Sequence, residues 1–230
     1  MSAVTYQVKQ DIIQFNAQHS LTIKSLLDHQ QFYDPQQQAQ RLGICSAAWP
    51  IFGLVWPSSI QLAKKLLKRT IAADQRILEI GCGLGIASMV AKQLGLNITA
   101  SDRHPLAPKF LRKNTQLNNL AEIPFLHGQW GVNQPASILD TNAPLLSGTY
   151  DYIIASDILY EPDNALQVAQ FIQRYAAPEA TIWLVDPNRG YHNHVRRHLA
   201  EFGFQLAEQV RLEHGPGEEQ YRGRLLVFQR

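Results

Sequence analysis

Arg76-Ile77-Leu78-Glu79-Ile80-Gly81-Cys82-Gly83-Leu84-Gly85-Ile86-Ala87-Ser88 decides the reading of this chain. Ile77 to Ile80 is a short apolar run of buried-strand type, and glycine then recurs at every second position from Gly81 to Gly85. Ile86 to Leu94 follows the helical period, with Gly95 as its stop. A strand, a glycine loop and a helix in succession let the backbone approach a ligand closely and turn tightly into the helix. The dinucleotide fingerprint is Gly-x-Gly-x-x-Gly. Here the third glycine comes early, and Ile86 stands where the last fingerprint glycine would fall. Glu79, two residues before the first glycine, suits a ligand carrying positive charge better than a pyrophosphate. The loop has no lysine, which excludes a phosphate-cradling P-loop. Asp102, 17 residues beyond Gly85, ends the next strand, Asn97 to Ser101. A carboxylate at that place can accept both hydroxyls of an unphosphorylated ribose. The glycine loop alone reads equally as a helix cap with no ligand; Glu79 and Asp102 at these spacings tip it toward a binding site.

Outward from this stretch the pattern alternates. Pro105 to Asn118 reads as a helix, Ile123 to His127 as a strand weakened by Pro124, and residues 131–149 as a polar loop. Tyr150 to Ser156 is the strongest strand, followed by a helix from Asp163 to Ala176, a strand at Thr181 to Val185 and a helix from Asn193 to Phe202. Gln205 to Arg211 and Gly223 to Phe228 are two strands joined by the loop Glu213 to Gln220, too close in sequence for a helical crossover, so they pair antiparallel. The expected fold is α/β: a doubly wound, mostly parallel sheet with helices on both faces. Before the glycine loop, Trp49 to Pro57 is rich in aromatics and proline. Ser58 or Ser59 then caps a helix carrying Ile60, Leu62, Ala63, Leu66 and Leu67. The first forty residues are glutamine-rich, with a strand at Ser20 to Leu26 and a helix start at Asp34-Pro35. Residues 1–48 are read as an extension or lid packed on a core domain, 49–230.

The 230 residues are 45% hydrophobic and 17% charged, which fits one large soluble domain. Twenty-one basic against nineteen acidic residues leave a charge of +2, with no polyanion-binding signal. Two cysteines, Cys45 and Cys82, make neither a disulfide scaffold nor a four-thiolate zinc site, and both are read as buried small residues. No basic-then-apolar leader and no run of roughly 18 apolar residues occurs, so a cytoplasmic, membrane-free protein is expected. His192, His194 and His198 have no completing Cys or Glu-x-x-His, so no metal is expected. Ser156 lacks the Gly-x-Ser-x-Gly context of a hydrolase nucleophile.

Glu79-x-Gly81-x-Gly83-x-Gly85, followed by an acid at the end of the next strand, resembles the cofactor site of class I S-adenosylmethionine methyltransferases. The resemblance implies seven strands in the order 3-2-1-4-5-7-6, the last antiparallel, and S-adenosylmethionine as cofactor. Glu79 and the three glycines would lie beside its methionine and sugar, with Asp102 on the ribose. Trp130 would stack on adenine, and Ser156 and Trp56 would complete the cofactor surround. Asp157-Ile158-Leu159-Tyr160 after the strongest strand resembles the Asp-x-x-Tyr of the lysine-methyltransferase-like branch. Trp56-Pro57-Ser58 is similar to the segment leading into that branch's core. Asp186-Pro187-Asn188-Arg189 resembles the Asp-Pro-Gly-Arg of electron-transfer flavoprotein β-subunit lysine methyltransferases, with Asn188 in place of glycine. The implied activity is N-methylation of a protein side chain, lysine foremost. Asp157 and Tyr160 are the catalytic candidates: Asp157 grips the amine, and Tyr160 and Trp56 wall its pocket. A small-molecule amine as acceptor, or a cofactor-binding module without chemistry, are the rival readings. Nucleic acid is disfavoured, because the Pro-Pro of DNA and RNA amino-methyltransferases is missing after Asp157.

Overall fold

The computed structural model describes residues 6–131, 143–160, 164–213 and 221–230. Its centre is a seven-stranded sheet built from β3 (Arg76–Ile80), β4 (Asn97–Asp102), β5 (Phe125–His127), β6 (Tyr150–Ser156), β7 (Ala176–Asp186), β8 (Gln205–Glu213) and β9 (Arg222–Gln229). The order is β5-β4-β3-β6-β7-β9-β8, with every pair parallel except β7–β9 and β8–β9. This is the expected order and the expected reversed strand. The helices α2 (Pro57–Leu66), α3 (Ile86–Gln93), α4 (Ala107–Leu117), α5 (Ala165–Tyr175) and α6 (His192–Glu201) join these strands or lead into them. One apolar layer, with Leu62, Met89 and Phe110, lies on one face; the other holds Val168, Ile172 and Leu199. Strands that are covered on both sides carry adjacent apolar residues, as Ile77-Leu78 and Ile153 to Ala155 do, which is why β3 and β6 stand out in the sequence.

A separate two-stranded hairpin precedes the sheet, β1 (Val8–Gln14) paired antiparallel with β2 (Ser20–Leu26). Asn16 organises its turn, its side-chain oxygen accepting from the backbone of Gln18 and His19. β2 buries Leu21, Ile23 and Leu26 completely. Its outer edge is closed by a side chain of α4 and that of the residue capping its C-terminus instead of by a strand. Asn118 accepts from the Thr22 N–H at 2.8 Å and donates to the Thr22 carbonyl at 2.8 Å. Asn114 does the same for Lys24 at 2.8 and 3.1 Å. Four residues apart on a helix, the two amides share one face and copy a strand's donor–acceptor pattern.

Several local expectations are corrected. The helix expected to start at Asp34-Pro35 is instead the short α1, Gln38–Arg41, with Gln37 at the cap position, and the Asp34 carboxylate reaches into its first turn to accept from the Ala39 and Gln40 N–H groups. Neither Ser58 nor Ser59 caps α2: Pro57 takes the first helical position and Trp56 the cap. Ser59 Oγ donates back to the Trp56 carbonyl, and Ser58 Oγ pairs with the Tyr221 hydroxyl. β5 is shorter than expected, and Pro124 contributes only its carbonyl, to the Ala100 N–H at 2.9 Å. β7 is longer, starting at Ala176 where the preceding helix was expected to end. Cys45, expected to be buried, is exposed, and Cys82 in the glycine loop is buried. The loop 213–220 and the helix start at Asp163 fall largely outside the described residues.

Candidate cofactor and acceptor cleft

The strand order reverses beside β3, with β4 on one side and β6 on the other, and ligand sites in open α/β sheets gather at the carboxyl ends of strands at such a point. There a cleft opens. Gly81 and Gly83 reach it from β3, Asp102 to His104 from β4, Ser156 to Ile158 and Tyr160 from β6, and Arg189 from the loop after β7. Trp130 closes the β5 side. A short 3-10 turn, Trp49–Gly53, with Ile44, Leu54 and Trp56 around it, supplies an apolar wall. Trp56, Gly81, Gly83, Asp102, Trp130, Ser156, Asp157 and Tyr160 therefore share one cleft, whereas Glu79 and Gly85 stand behind it.

Glu79 organises the loop from below. Its side chain is 1% exposed, and one carboxylate oxygen accepts from both the backbone N–H and the hydroxyl of Ser88 in the first turn of α3. A carboxylate at a helix N-terminus satisfies an orphan N–H and faces the positive end of the dipole. Burial nevertheless pushes its pKa up to about 7. Gly85 is the cap of that helix at φ +72°, and Gly83 takes φ +52° with the Phe52 carbonyl 2.8 Å from where a Cβ would sit. No larger residue fits between the loop and the 3-10 turn at Gly83.

Asp102 is 8% exposed and already busy: one oxygen accepts from Gly83 N–H and the other from His104 N–H, both at 2.8 Å. Burial raises its pKa against those two bonds. A carboxylate has about four acceptor sites, so two remain for ligand hydroxyls. Beside it His104 stacks on Phe52 with ring centres 3.7 Å apart, and its Nδ1 accepts from Leu106 N–H. Burial drives its pKa well below the usual histidine value, so the ring is neutral and Nε2 carries the proton. That Nε2 is buried and lacks a partner. An unsatisfied buried donor in the wall of a cleft, next to an acid with spare acceptor sites, fits a polar nucleoside ligand.

At the other end Asp157 follows β6 with φ +56°, a left-handed conformation that aspartate tolerates better than most residues. Its carboxylate receives Arg189 in a two-point ion pair, Nε to Oδ1 at 3.0 Å and Nη2 to Oδ2 at 3.1 Å. Asn188, in the place of the resembled glycine, adopts φ +66° and so keeps the turn a glycine would make. Asp186 accepts from the Asn188 N–H, and Arg224 donates to the Asn188 side-chain oxygen at 2.6 Å. Trp56 is fixed by a 2.9 Å bond from its indole N–H to the Ile51 carbonyl. Trp130 packs edge-on against Phe171 and covers Gly81. The sequence reading gave Arg189 no role and missed His104 and Phe52. Their signals were slight: a place in a quoted motif, a position two past Asp102, and membership of an aromatic stretch.

The sheet order, its reversed strand and a glycine loop facing an acid at the end of the next strand define the seven-strand methyltransferase architecture. The profile of the lysine methyltransferase family matches residues 46–201, and the chain belongs to that family. The chain is similar to the electron transfer flavoprotein beta subunit lysine methyltransferase of Danio rerio, 29% identical over 71% of this chain and 61% of that one. It is also similar to the histone-arginine methyltransferase METTL23 of Xenopus laevis, 30% identical over 56% of this chain and 54% of that protein. The matches span between 40% and 61% of the length of the first curated relatives. Among solved structures, a methyltransferase from Pyrococcus furiosus superposes with a TM-score of 0.56 over 85% of this chain and 98% of that one, at 17% identity. At that identity the likeness bears on the fold.

Proposed function

We propose that this protein is an S-adenosylmethionine-dependent methyltransferase acting on a nitrogen of a protein side chain, with lysine as the favoured acceptor. The observation that carries the reading is the single cleft. It joins a nucleoside end, with Gly81, Gly83, Asp102, Trp130 and Ser156, to an acceptor end with Trp56, Asp157 and Tyr160. Glu79 and Gly85 belong to the cofactor site through the loop they shape. The methyl donor, when bound, supplies an electrophilic methyl on a cationic sulfur. The protein's part is to place a neutral amine in line with that methyl and keep water away. The acceptor amine binds between the Trp56 and Tyr160 side chains, whose aromatic faces favour a cation and whose surface dehydrates it. Asp157 takes a hydrogen bond from the amine and aims its lone pair. With the methyl donor bound, Gly81, Gly83 and Asp102 would hold it so that the amine aimed by Asp157 would face its electrophilic methyl.

Residues 1–48 belong to this reading as an extension that roofs the cleft of the 49–230 domain, because Ile44 and the segment after it form the apolar wall. A cytoplasmic setting is part of the same proposal and is supported by two free thiols. No helix among the described residues is long and apolar enough to cross a membrane. The net charge of +2 gives nucleic acid no support as acceptor. The apolar wall from Ile44 to Trp56 favours one second reading, a small amine enclosed by it. Transfer of labelled methyl from S-adenosylmethionine into a fractionated cell extract tests the choice. Label in a discrete protein band, lost in Asp157→Ala, is expected. Label confined to small molecules or RNA would overturn the protein reading.

A further inference from the structure

Asp157 poses a difficulty for its own proposed role. An amine must be neutral to attack, and a lone carboxylate beside it would hold it as an ammonium by raising its pKa. The structure shows what removes the conflict. The Arg189 guanidinium spans both oxygens of Asp157, with a closest approach of 2.9 Å, and the carboxylate is 10% exposed. Arg189 is itself 41% exposed, so nothing in the core requires its charge. Its loop is nevertheless pinned at Asn188, whose backbone and side chain are held by Asp186 and Arg224 respectively. Asn188 at φ +66° and Gly190 at φ +96° set the turn that delivers it.

We propose that Arg189 is a positioning residue for methyl transfer: it neutralises Asp157 so that the carboxylate can orient the acceptor amine without keeping it protonated. This inference rests on the proposed methyltransferase activity and deepens it. Among the described residues, the ionisable groups around Asp157 come from three further elements. Asp186 ends β7, with His192 of α6 and Arg224 of β9 beside it, and Tyr221 precedes β9. Burial pushes Tyr221 up to about 12, so it is neutral, and His192 is lowered and neutral as well. What remains is two carboxylates, Asp157 and Asp186, against two guanidiniums, Arg189 and Arg224. Removing Arg189 alone leaves an excess negative charge at the acceptor. With Arg189 in place, two acceptor sites of the carboxylate serve the guanidinium and two remain for the amine N–H groups. The ammonium proton leaves to solvent through the open mouth of the cleft. The resulting lone pair then attacks the methyl carbon as the S–C bond breaks onto sulfur.

The test is the pH profile of kcat/KM with labelled S-adenosylmethionine and the protein that the wild type labels in extract. Compared are the wild type, Arg189→Gln, Arg189→Lys and the double variant Asp157→Asn with Arg189→Gln. In Arg189→Gln the limb reporting acceptor deprotonation should move to higher pH by about one to three units. Arg189→Lys, which keeps the charge, should recover most of the shift. The double variant should bring the limb back toward the wild-type position even though its rate is low. A lower rate in Arg189→Gln with an unmoved limb would overturn the inference and leave a purely structural role. Absence of transfer by the wild type itself would overturn the function and, with it, this inference. The two failures are therefore separate results.

Discussion

Glu79 holds the turn from the glycine loop into α3 through Ser88 and is costly to the fold. Its folded-state pKa of about 7 lies above the 4.5 of a free glutamate because burial disfavours the charged form. The folded protein therefore holds this proton more tightly than the unfolded chain. Below about pH 4.5 both states are protonated and there is no penalty. The penalty grows as pH rises from there to about 7 and is complete above it, reaching roughly 3 kcal/mol at most. His127 works in the opposite direction: burial lowers it to about 4, so it removes stability as pH falls through the range from 6.5 to 4. Glu79→Gln keeps an acceptor for Ser88 and removes the charge. Its stability relative to the wild type should improve from pH 5 to about pH 7 and level off above that in urea denaturation, and a difference that does not change with pH would contradict the assignment. At this scale, the spacing singled out residues that the fold brings together: Gly81, Gly83, Asp102 and Asp157 line one cleft, with Glu79 and Gly85 behind it. It did not show that Asp157 is paired with Arg189. That contact joins residues 32 positions apart, and no local pattern records it.

Among the elements, β2 depends on α4 as a strand depends on its neighbour. Asn114 is fully buried, and its amide completes the ladder at Lys24 in both directions. Asn114→Ala strands a backbone N–H and a carbonyl at a covered edge, so a loss of about 2 kcal/mol is expected. The urea midpoint measures it, and a loss below about 0.5 kcal/mol would mean that water replaces the amide without cost. β6 and β3 were legible because strands covered on two faces carry adjacent apolar residues, here Ile153 to Ala155 and Ile77-Leu78. β1 was not, because Ile12 is 74% exposed and the strand buries almost nothing. It exists by hydrogen bonding to β2, and backbone pairing leaves no periodicity in the side chains. The start of α2 was misplaced for a related reason. Serine and proline both signal a helix start, and Ser58 and Ser59 were free to serve other partners once Pro57 had taken the first position.

The molecule as a whole is arranged around a cleft that neither the sheet nor the N-terminal segment forms alone. Leu21, Ile23, Leu26, Leu42 and Ile44 share one apolar core with Met89, Phe110 and Leu111. Trp49, 1% exposed, packs on Tyr6, Phe52 and His104 together. Removing residues 1–48 should therefore collapse the fold instead of releasing a stable smaller enzyme. Loss of cooperative thermal unfolding by circular dichroism is the expected result, and a truncated chain that melts cooperatively would contradict it. The parallel, doubly wound sheet and its antiparallel end pair, unlike these contacts, followed from the alternation of strands and helices and the short link at the end, whereas the strand order came from the resemblance to the methyltransferase family. The central claim concerns the acceptor, and its most direct measurement is acid hydrolysis of the protein band labelled from S-adenosylmethionine, followed by chromatography of the amino acids. Label in N-methylated lysine is the expected result; label in methylarginine, or in no amino acid of the protein, would contradict the account.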